Sequence, residues 1–431
     1  MTPTTRSRQL RARPPATLPD GGPRRPVAPA RAPAGAGNRR HRPGFWLVAY
    51  AFTVTMAFSA VPTPLYVLYQ ARDGFGPFTL TVIFAAYAAG VALSLLLAGH
   101  VSDWFGRRRV LVPAILVNVL AGIIFLAWPA VPGLLIARFV SGISIGMLTA
   151  TATAHLTELH LAARPGASRS RADVVATAAN LGGIGLGPLV SGLLAQYAPD
   201  PLHLPFYVVE GLMLIGVLFL ALVPETVDRP EPRPAYRAQR VSVPPAARPV
   251  FLAAGGAGAV VFAMFGLFTS LAPSFLAGTL HDASHALAGL AAFLAFGASA
   301  VSQILLARSP LRRQFRLGFA VLALGIVAVT AAIWATSLPL LLIGGTVAGA
   351  GAGAVFKGSV STVINIAPAQ TRGEALAGLF LASYIGLAVP VVGLGIATQY
   401  LPARVALLIF SAALLAGLAT VARQLLRHSA A

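Results

Sequence analysis

The stretch GHVSDWFGRRR (residues 99–109) separates two apolar runs that are each long enough to cross a membrane. The flanking runs, residues 78–98 and 110–128, contain no acidic or basic side chain, whereas the junction holds Asp103 and three consecutive arginines. An acid at a membrane surface is energetically unfavourable unless it has a structural or gating role. The stretch therefore predicts a multi-pass membrane protein with a specialised loop between two of its helices.

The composition agrees with a chain that is solvated mainly by lipid. Of its 431 residues, 57% are hydrophobic and 10% are charged, against about 25% charged in soluble domains. The mean hydropathy is +0.77. The absence of cysteine excludes disulfides and cysteine-ligated metals. The net charge of +20 does not indicate a nucleic-acid partner, because the arginines lie in short loops between apolar segments, a pattern typical of membrane insertion and anionic lipid.

Hydrophobic runs of about 20 residues predict twelve membrane-spanning helices. The candidate spans are residues 44–66, 78–98, 109–128, 132–156, 174–197, 205–223, 250–276, 285–307, 316–335, 338–362, 373–398 and 403–425. Arginines crowd the termini and the segments after even-numbered spans, whereas the other loops hold only Arg72 and Arg404. This asymmetry predicts a plasma (inner) membrane protein with both termini in the cytoplasm.

The chain divides into two similar halves. Residues 134–146 can be laid over residues 341–353 without a gap, and residues 188–197 resemble residues 390–400 with a shift of one residue. The Pro-, Arg- and Ala-rich residues 1–43 lack the apolar core of a signal peptide and predict a disordered basic cytoplasmic tail, unless the true start lies further along the chain. The other predicted units are a six-helix half over 44–223, a cytoplasmic linker over 224–249, a second six-helix half over 250–425 and a cytoplasmic tail over 426–431.

These features resemble the major facilitator superfamily over residues 44–425. The spacing G-x-x-x-D-x-x-G-R-R-R (residues 99–109) is similar to the loop signature that this family carries between helices two and three. The R-x-x-x-G pattern from Arg138, the segment GIGLGPLVSG (residues 183–192) and the Pro-Glu-Thr element (residues 224–226) resemble further family motifs. The resemblance implies an all-α membrane fold of twelve helices in two six-helix halves, in the drug:proton antiporter branch, with transport by alternating access.

Between spans two and three, the signature predicts a gating latch made of Gly99, Asp103, Gly106, Arg107 and Arg108. The two glycines permit a tight turn and a close approach of helices. Asp103 can accept backbone N–H groups at a helix start or pair with the arginines. A pair that forms in one conformation and breaks in another would shift the balance between them. The alternative is an arginine cluster that only directs insertion.

The fifth span contains Gly183, Gly187, Pro188 and Gly192. Small residues about one turn apart let helices approach closely in lipid, and the proline bends the helix and frees a carbonyl. The family resemblance implies an antiporter element here, with Ser191 in place of one glycine. A purely structural bend is the other interpretation.

Charges inside the spans are few, and each is a candidate either for proton coupling or for a buried structural charge. Arg138 and Glu210 lie at similar depths in the fourth and sixth spans, so they either pair, or Arg138 bonds backbone carbonyls while Glu210 reaches the outer interface. His155 and Glu158 form either a proton relay or solvated interface residues. No metal site is expected, because His155, Glu158 and His160 lack a fourth ligand.

Lys357, the only lysine, lies in the tenth span, which the family resemblance places beside a central cavity. Its ammonium either binds an anionic group of the substrate there or extends to the membrane surface. Phe52, Met56, Phe262 and Phe265, in the first and seventh spans, either line an apolar pocket or face lipid.

Together the residues and the resemblance predict a secondary transporter that moves a small amphipathic or apolar molecule by alternating access, with efflux coupled to proton entry. A sugar or metabolite symporter or facilitator is the alternative, and a membrane sensor or enzyme is a more distant one. The sequence has no G-x-x-x-x-G-K-[ST] loop and no cluster of catalytic side chains, so no enzyme activity or cofactor is expected. The expected partners are a small-molecule substrate, protons and the lipid bilayer, with the chain as a monomer.

Overall fold

The computed structural model describes residues 37–99, 101–227, 237–279, 284–368 and 370–428. The predicted disordered tail lies outside the described residues up to residue 36, as do residues 228–236 of the predicted linker and the last three residues of the chain. Residues 37–43, which the sequence assigns to the tail, form the first turns of a helix instead. Hydropathy marks only the apolar part of a helix, whereas polar turns continue it into the headgroup region.

In the described part of the chain, twelve helices are long and apolar enough to span a membrane, which confirms the predicted number and the all-α class. Their bounds are α1 Gly37–Ala60, α2 Pro77–Ala98, α3 Arg107–Ala127, α4 Val131–Ala163, α5 Ser170–Tyr197, α6 Leu204–Ala221, α7 Pro245–Gly278, α8 His285–Leu305, α9 Leu311–Trp334, α10 Leu338–Ile366, α11 Arg372–Tyr400 and α12 Ala403–His428. No strand occurs within the described ranges.

α1 ends earlier than the hydropathy pattern predicts. Pro62 and Pro64 follow closely after Ala60, and proline both lacks an N–H and clashes with the preceding helical turn. The chain therefore makes a series of turns before a short helix at Tyr66–Asp73. The break leaves carbonyl groups at the end of α1 without helical partners.

α1 to α6 pack together, as do α7 to α12, and glycines set the closest helix crossings in both groups. In the first group, α2 crosses α4 at Gly90 and Gly142, where an added Cβ atom would collide with the backbone of the other helix. In the second group, Gly325 of α9 and Gly351 of α10 make a similar contact. Such contacts pack helices tightly in lipid, where the hydrophobic effect does not drive them together.

The two groups, or halves, meet along α2 with α11 and along α5 with α8. The end of the bundle at which the odd-numbered helices begin, and which carries the linker, is named the linker face; the other end is the opposite face. At the opposite face, the Ser274 hydroxyl donates to Gln70 Oε1 at 2.9 Å and the His285 N–H donates to Gln196 Oε1 at 2.9 Å. These bonds join the halves around the cavity that lies between them.

Candidate functional site

Four charged side chains and one hydroxyl at the linker face form one group, named the linker-face cluster: Asp103, Arg107, Glu158, Glu225 and Thr226. Arg107 lies at its centre, with only 11% of its side chain exposed. Its Nη1 bonds Asp103 Oδ1 at 2.5 Å and its Nη2 bonds Glu158 Oε1 at 2.8 Å. Glu158 also accepts a hydrogen bond from the Thr226 hydroxyl at 2.5 Å. The cluster therefore ties the α2–α3 loop to the ends of α4 and α6 through polar groups.

Glu225 caps the start of α3. Its carboxylate accepts hydrogen bonds from the N–H groups of Arg107 at 2.8 Å and Arg108 at 3.2 Å, where the helix dipole favours an anion. Gly106 has a φ of +102°, and a Cβ atom there would collide with this carboxylate. Of the two roles that the sequence allows for Asp103, the capping of a helix start and pairing with the arginines, the structure shows the pairing, with the Arg107 side chain. Glu225 is far along the chain, and its only sequence signal is the Pro-Glu-Thr element.

Gly99 makes room for the linker. It lies in the turn that follows α2, where the Val101 N–H donates to the Ala98 carbonyl at 3.1 Å, but its φ of −58° is ordinary helical backbone and does not require glycine. A Cβ atom at Gly99 would collide with the Gln239 side chain. Gln239 bridges the two halves at the linker face, because its N–H donates to the Leu96 carbonyl at 2.8 Å and its Nε2 donates to the Gly373 carbonyl at 3.1 Å.

His155 and Glu158 lie close together at the linker face without bonding each other. The buried His155 has its Nε2 3.2 Å from the Pro224 carbonyl oxygen, whereas Glu158 bonds Arg107 and Thr226. Both therefore connect α4 to the end of α6. Among the described residues, no group of three or more His, Asp or Glu side chains is placed to hold a metal ion.

A cavity lies between the halves, with about 110 Å³ available to the centres of water molecules. It is lined by Met56, Ser59, Ala60, Thr63, Phe84, Tyr87, Arg138, Ile145, Thr149, Asn180, Leu181, Ile184, Phe262, Phe265, Thr269, Phe296, Gln303, Phe356, Phe380, Tyr384 and Leu387. Of the side chains that the sequence assigns to a cavity, Met56, Phe262 and Phe265 line it. Phe52 is buried in the hydrophobic core, and Lys357 is partly exposed and lies outside the lining.

Two π-helical segments place polar side chains in the cavity wall. Residues 178–182 of α5 contribute Asn180, and residues 267–271 of α7 contribute Thr269. A π turn widens the helix by one residue, and such turns are frequent at functional sites. Sequence reasoning misses both side chains, because the hydrophobic pattern carries no signal for a π turn.

Arg138 brings a positive charge to the cavity. It is 3% exposed, and its Nη1 donates to the Ser59 carbonyl at 2.6 Å, close to the end of α1. Its guanidinium carbon lies 4.4 Å from the centre of the Tyr87 ring and 5.3 Å from that of Phe84, within the range of cation–π attraction. The buried Nε has no hydrogen-bond partner among the described residues.

The structure does not bring Glu210 to Arg138. Glu210 packs against α3, where a Cβ atom at Gly122 would collide with its carboxylate. One turn away along α3, the Asn118 amide donates to the Thr55 carbonyl of α1 at 3.3 Å. Glu210 Oε1 is buried and has no hydrogen-bond partner in the described part of the chain. Glu210 therefore lies on the α3 side of α6 and not in the cavity lining.

The glycines of α5 contact two different neighbours. A Cβ atom at Gly183 or Gly187 would collide with the backbone of α1, whereas one at Gly192 would collide with the backbone of α8. Gly289 of α8 makes a similar contact with the Pro188 carbonyl. α5 is thus packed closely both within its own half and against the other half.

Ser191 stands at the position where the sequence resemblance implies a glycine. Its buried hydroxyl donates to the Val61 carbonyl at 2.8 Å, in the turns that follow α1. The serine therefore satisfies a carbonyl that the break after α1 leaves without a helical partner.

At the opposite face, Arg72 connects the short helix after α1 to the α3–α4 loop. Its Nε bonds Asp73 Oδ1 at 2.6 Å, and its Nη2 donates to the Pro129 carbonyl at 2.6 Å. The hydrogen bond from Arg72 holds the pKa of the Asp73 carboxyl below its usual range. The pair is exposed to solvent, so its contribution to stability is small.

Comparison with known proteins identifies related sequences. A family model described as Major Facilitator Superfamily matches residues 47–330. The puromycin resistance protein pur8 of Streptomyces alboniger is 33% identical to this chain over 181 residues. That match covers 42% of this chain and 33% of the relative, so it spans about a third of the relative's length.

Solved structures with the same fold include two transporters. The human organic anion transporter MFSD10 (TETRAN) superposes with a TM-score of 0.66 at 17% identity, over 88% of this chain and 99% of that chain. A POT family transporter in complex with 5-aminolevulinic acid superposes with a TM-score of 0.70 at 12% identity, over 89% of this chain and 95% of that chain. At these identities the likeness shows the fold alone.

Proposed function

Because this chain belongs to the major facilitator superfamily, we propose that it is a secondary active transporter that moves a small molecule across the membrane by alternating access. The observation that carries the proposal is the cavity between the halves, to which both halves contribute side chains. Hydrogen bonds join the halves at the opposite face and, through Gln239 of the linker, at the linker face. Rocking of one half against the other would expose such a cavity to each side of the membrane in turn.

The proposed moving units are the six-helix halves over residues 44–223 and 250–425, with residues 224–249 as the linker between them. The linker face is assigned to the cytoplasm of a plasma (inner) membrane, which places both termini there. The arginine distribution supports this orientation, since loops at the opposite face hold only Arg72 and Arg404. Each chain has its own cavity, which supports a monomer as the working unit.

Efflux is the proposed direction. The largely apolar and aromatic cavity wall suits an amphipathic molecule that enters from the membrane or the cytoplasm. The partial match to a protein named for puromycin resistance, together with the antiporter-like segment of α5, also supports export.

Protons are the proposed coupling ion, and Glu210 is the proposed site of their uptake. A carboxylate inside the membrane is unfavourable without a partner, and no described residue bonds Glu210 Oε1. Glu210 packs against α3, which in turn bonds α1 through Asn118, and α1 carries Met56 and Ser59 of the cavity. A change of charge at Glu210 could therefore reach the cavity through α1. His155 and Glu158 at the linker face are the second proposed proton site.

The linker-face cluster is the proposed gate. Its bonds join the α2–α3 loop to α4 and α6 in the conformation described here. If they break in the other conformation, their free energy biases the equilibrium between the two. Asp103, Arg107 and Glu158 would then control the rate at which the cavity changes sides.

The purified full chain should be reconstituted in liposomes with an imposed proton gradient and given a panel of dyes, antibiotics and sugars that includes puromycin. We expect at least one compound to move against its own gradient, and a protonophore to stop this movement. Empty liposomes provide the control for passive leakage. Movement that only follows the substrate's own gradient would favour a facilitator, and movement of sugars alone would favour the metabolite alternative.

A further inference from the structure

We propose that Arg138 forms an anion-binding subsite in the cavity, and that the substrate is a small organic acid with an aromatic or otherwise apolar body. The inference rests on the proposed transport function and adds the chemical class of the substrate. Among the described residues that line the cavity, Arg138 is the only charged side chain.

The guanidinium of Arg138 has hydrogen-bonding capacity that the protein does not use. Nη1 donates to the Ser59 carbonyl at 2.6 Å, whereas the buried Nε has no acceptor among the described residues. Nε and Nη2 form one edge of the planar group. This edge can bind a carboxylate through two parallel hydrogen bonds, which are stronger than bonds between neutral groups.

No counter-ion lies beside Arg138 among the described residues. The described cavity lining includes no Asp or Glu, and the Glu210 carboxylate packs against α3 instead. An unpaired charge in a low-dielectric site is unfavourable, and a bound anion offsets that penalty. A cationic ligand would instead add repulsion. The cavity should therefore prefer anions to neutral molecules, and neutral molecules to cations.

Aromatic side chains next to Arg138 suit a ring-shaped apolar body. The ring centres of Tyr87 of α2 and Tyr384 of α11 are 6.3 Å apart, across the two halves. Phe262 lies 5.2 Å from Tyr384 and 5.2 Å from Phe356, which extends the row. The cavity volume of about 110 Å³ is somewhat smaller than the roughly 150 Å³ of an engineered cavity that binds benzene. In this conformation the space suits about one ring.

The decisive test compares three probes that share one ring and differ in charge: benzoate, benzyl alcohol and benzylamine. Their binding to the purified full chain in lipid nanodiscs should be measured at neutral pH by isothermal titration calorimetry. We expect benzoate to bind most tightly and benzylamine least tightly. Equal affinities, a reversed order or no binding of benzoate would overturn the proposal. This comparison uses the wild-type chain, so it holds even if substitution of Arg138 impairs folding.

Variants then test whether the Arg138 side chain causes the preference for the anionic probe. Arg138→Gln should lower the affinity for benzoate by about tenfold or more, the range for a charge-assisted hydrogen bond, and change that for benzyl alcohol little. Arg138→Lys should lie between, because it keeps the charge but loses the two-bond edge. Arg404→Gln, which removes a cation at the start of α12 outside the cavity, is the matched control and should bind benzoate normally. An unchanged charge preference in folded Arg138→Gln would also overturn the proposal.

The two proposals fail differently. Transport of neutral or cationic compounds without benzoate binding would refute the anion subsite and leave the transport function standing. Benzoate binding lost in Arg138→Gln, with no transport of any compound in liposomes, would support the subsite and refute the transport function.

Discussion

The linker-face loops of the two halves are held by different chemistry. In the first half, Arg107 at the start of α3 forms ion pairs with Asp103 of the α2–α3 loop and with Glu158 of α4. In the second half, the buried Gln314 closes the α8–α9 loop with neutral hydrogen bonds, because its Nε2 donates to the Leu306 carbonyl at 3.1 Å and the Ser309 carbonyl at 2.9 Å. A charged cluster responds to solvent, protons and neighbouring charge, whereas a neutral amide does not.

The internal repeat allows positions in the two halves to be compared residue by residue. On the spacing that lays residues 134–146 over residues 341–353, Gln314 takes the place of Arg107 and Gly345 takes that of Arg138. A Cβ atom at Gly345 would collide with the Phe268 ring, so an aromatic side chain occupies the space beside it. The charge of both the proposed gate and the proposed subsite therefore belongs to the first half. The proposed switching chemistry lies in that half alone.

The largest effect is expected from the charged loop. Asp103→Asn should lower the transport rate by about tenfold, within the usual range of coupling energies, because the largely buried Arg107 loses one of its two acidic partners. The initial rate in liposomes, divided by the amount of inserted protein, measures this. Asp200→Asn is the matched control, since Asp200 is an exposed acid at the opposite face and asparagine tolerates its φ of +58°. Normal transport by Asp103→Asn at equal abundance would mean that the charged loop only directs membrane insertion and does not act as a gate.

A smaller, selective effect is expected at Glu210. Glu210→Gln keeps the shape of the side chain but cannot ionise, so transport driven by a proton gradient should fall several-fold while substrate exchange without a gradient changes little. Both modes can be measured in the same liposomes. Glu374→Gln, at the start of α11, serves as the comparison for loss of an acid elsewhere. Equal losses in the two modes would assign Glu210 to packing, and Glu158→Gln would then be the next candidate.

Substitution of Gln314 in the neutral loop should affect stability rather than transport. Gln314→Ala leaves the Leu306 and Ser309 carbonyls without their donor, so the free energy of unfolding should fall by about 1–3 kcal/mol. Transport per folded molecule should stay within about twofold, because no ionisable group changes. Thermal unfolding in detergent measures the first quantity, with the exposed neighbour Arg313→Ala as control. A loss of transport as large as that of Asp103→Asn would remove the contrast between the loops.

The smallest effect is expected at Lys357. The sequence leaves two roles open for this lysine, binding of the substrate or extension to the membrane surface. The structure places it outside the cavity lining, and no described residue forms an ion pair with it. Lys357→Ala should therefore change benzoate affinity less than Arg138→Gln does, and should change the free energy of unfolding by no more than about 1 kcal/mol. Calorimetry and thermal unfolding on the same samples measure both. A larger affinity loss than that of Arg138→Gln would move the anion subsite to α10.

The fold can be predicted from the sequence because one physical requirement dominates it. Only helices with internally satisfied backbones cross lipid, so twelve apolar runs imply twelve helices. Their ends are harder to predict, since polar turns such as residues 37–43 extend a helix without adding hydropathy. The early end of α1 does have a local cause, in Pro62 and Pro64, but the long apolar stretch before them and the apolar residues 65–69 after them conceal it.

The candidate site is less predictable because its bonds join distant parts of the chain. The Asp103–Arg107 pair is local and follows from the motif, whereas the capping of α3 by Glu225 joins residues from α3 and the end of α6. Arg138 is conspicuous as a charge in a span, but its acceptor is the Ser59 carbonyl, and any residue type would supply that group. Because every residue has a backbone carbonyl, the sequence does not indicate which carbonyl accepts a hydrogen bond.

The two halves touch through bare backbone at Gly192 and Gly289, where any Cβ atom would collide with the neighbouring helix. A single methyl group at either position would act as a wedge between α5 and α8, which belong to different halves. Alanine differs from glycine by one nucleotide in every glycine codon. The relative population of the protein's conformations should thus be adjustable by a point mutation that changes neither charge nor polarity and lies outside the cavity lining.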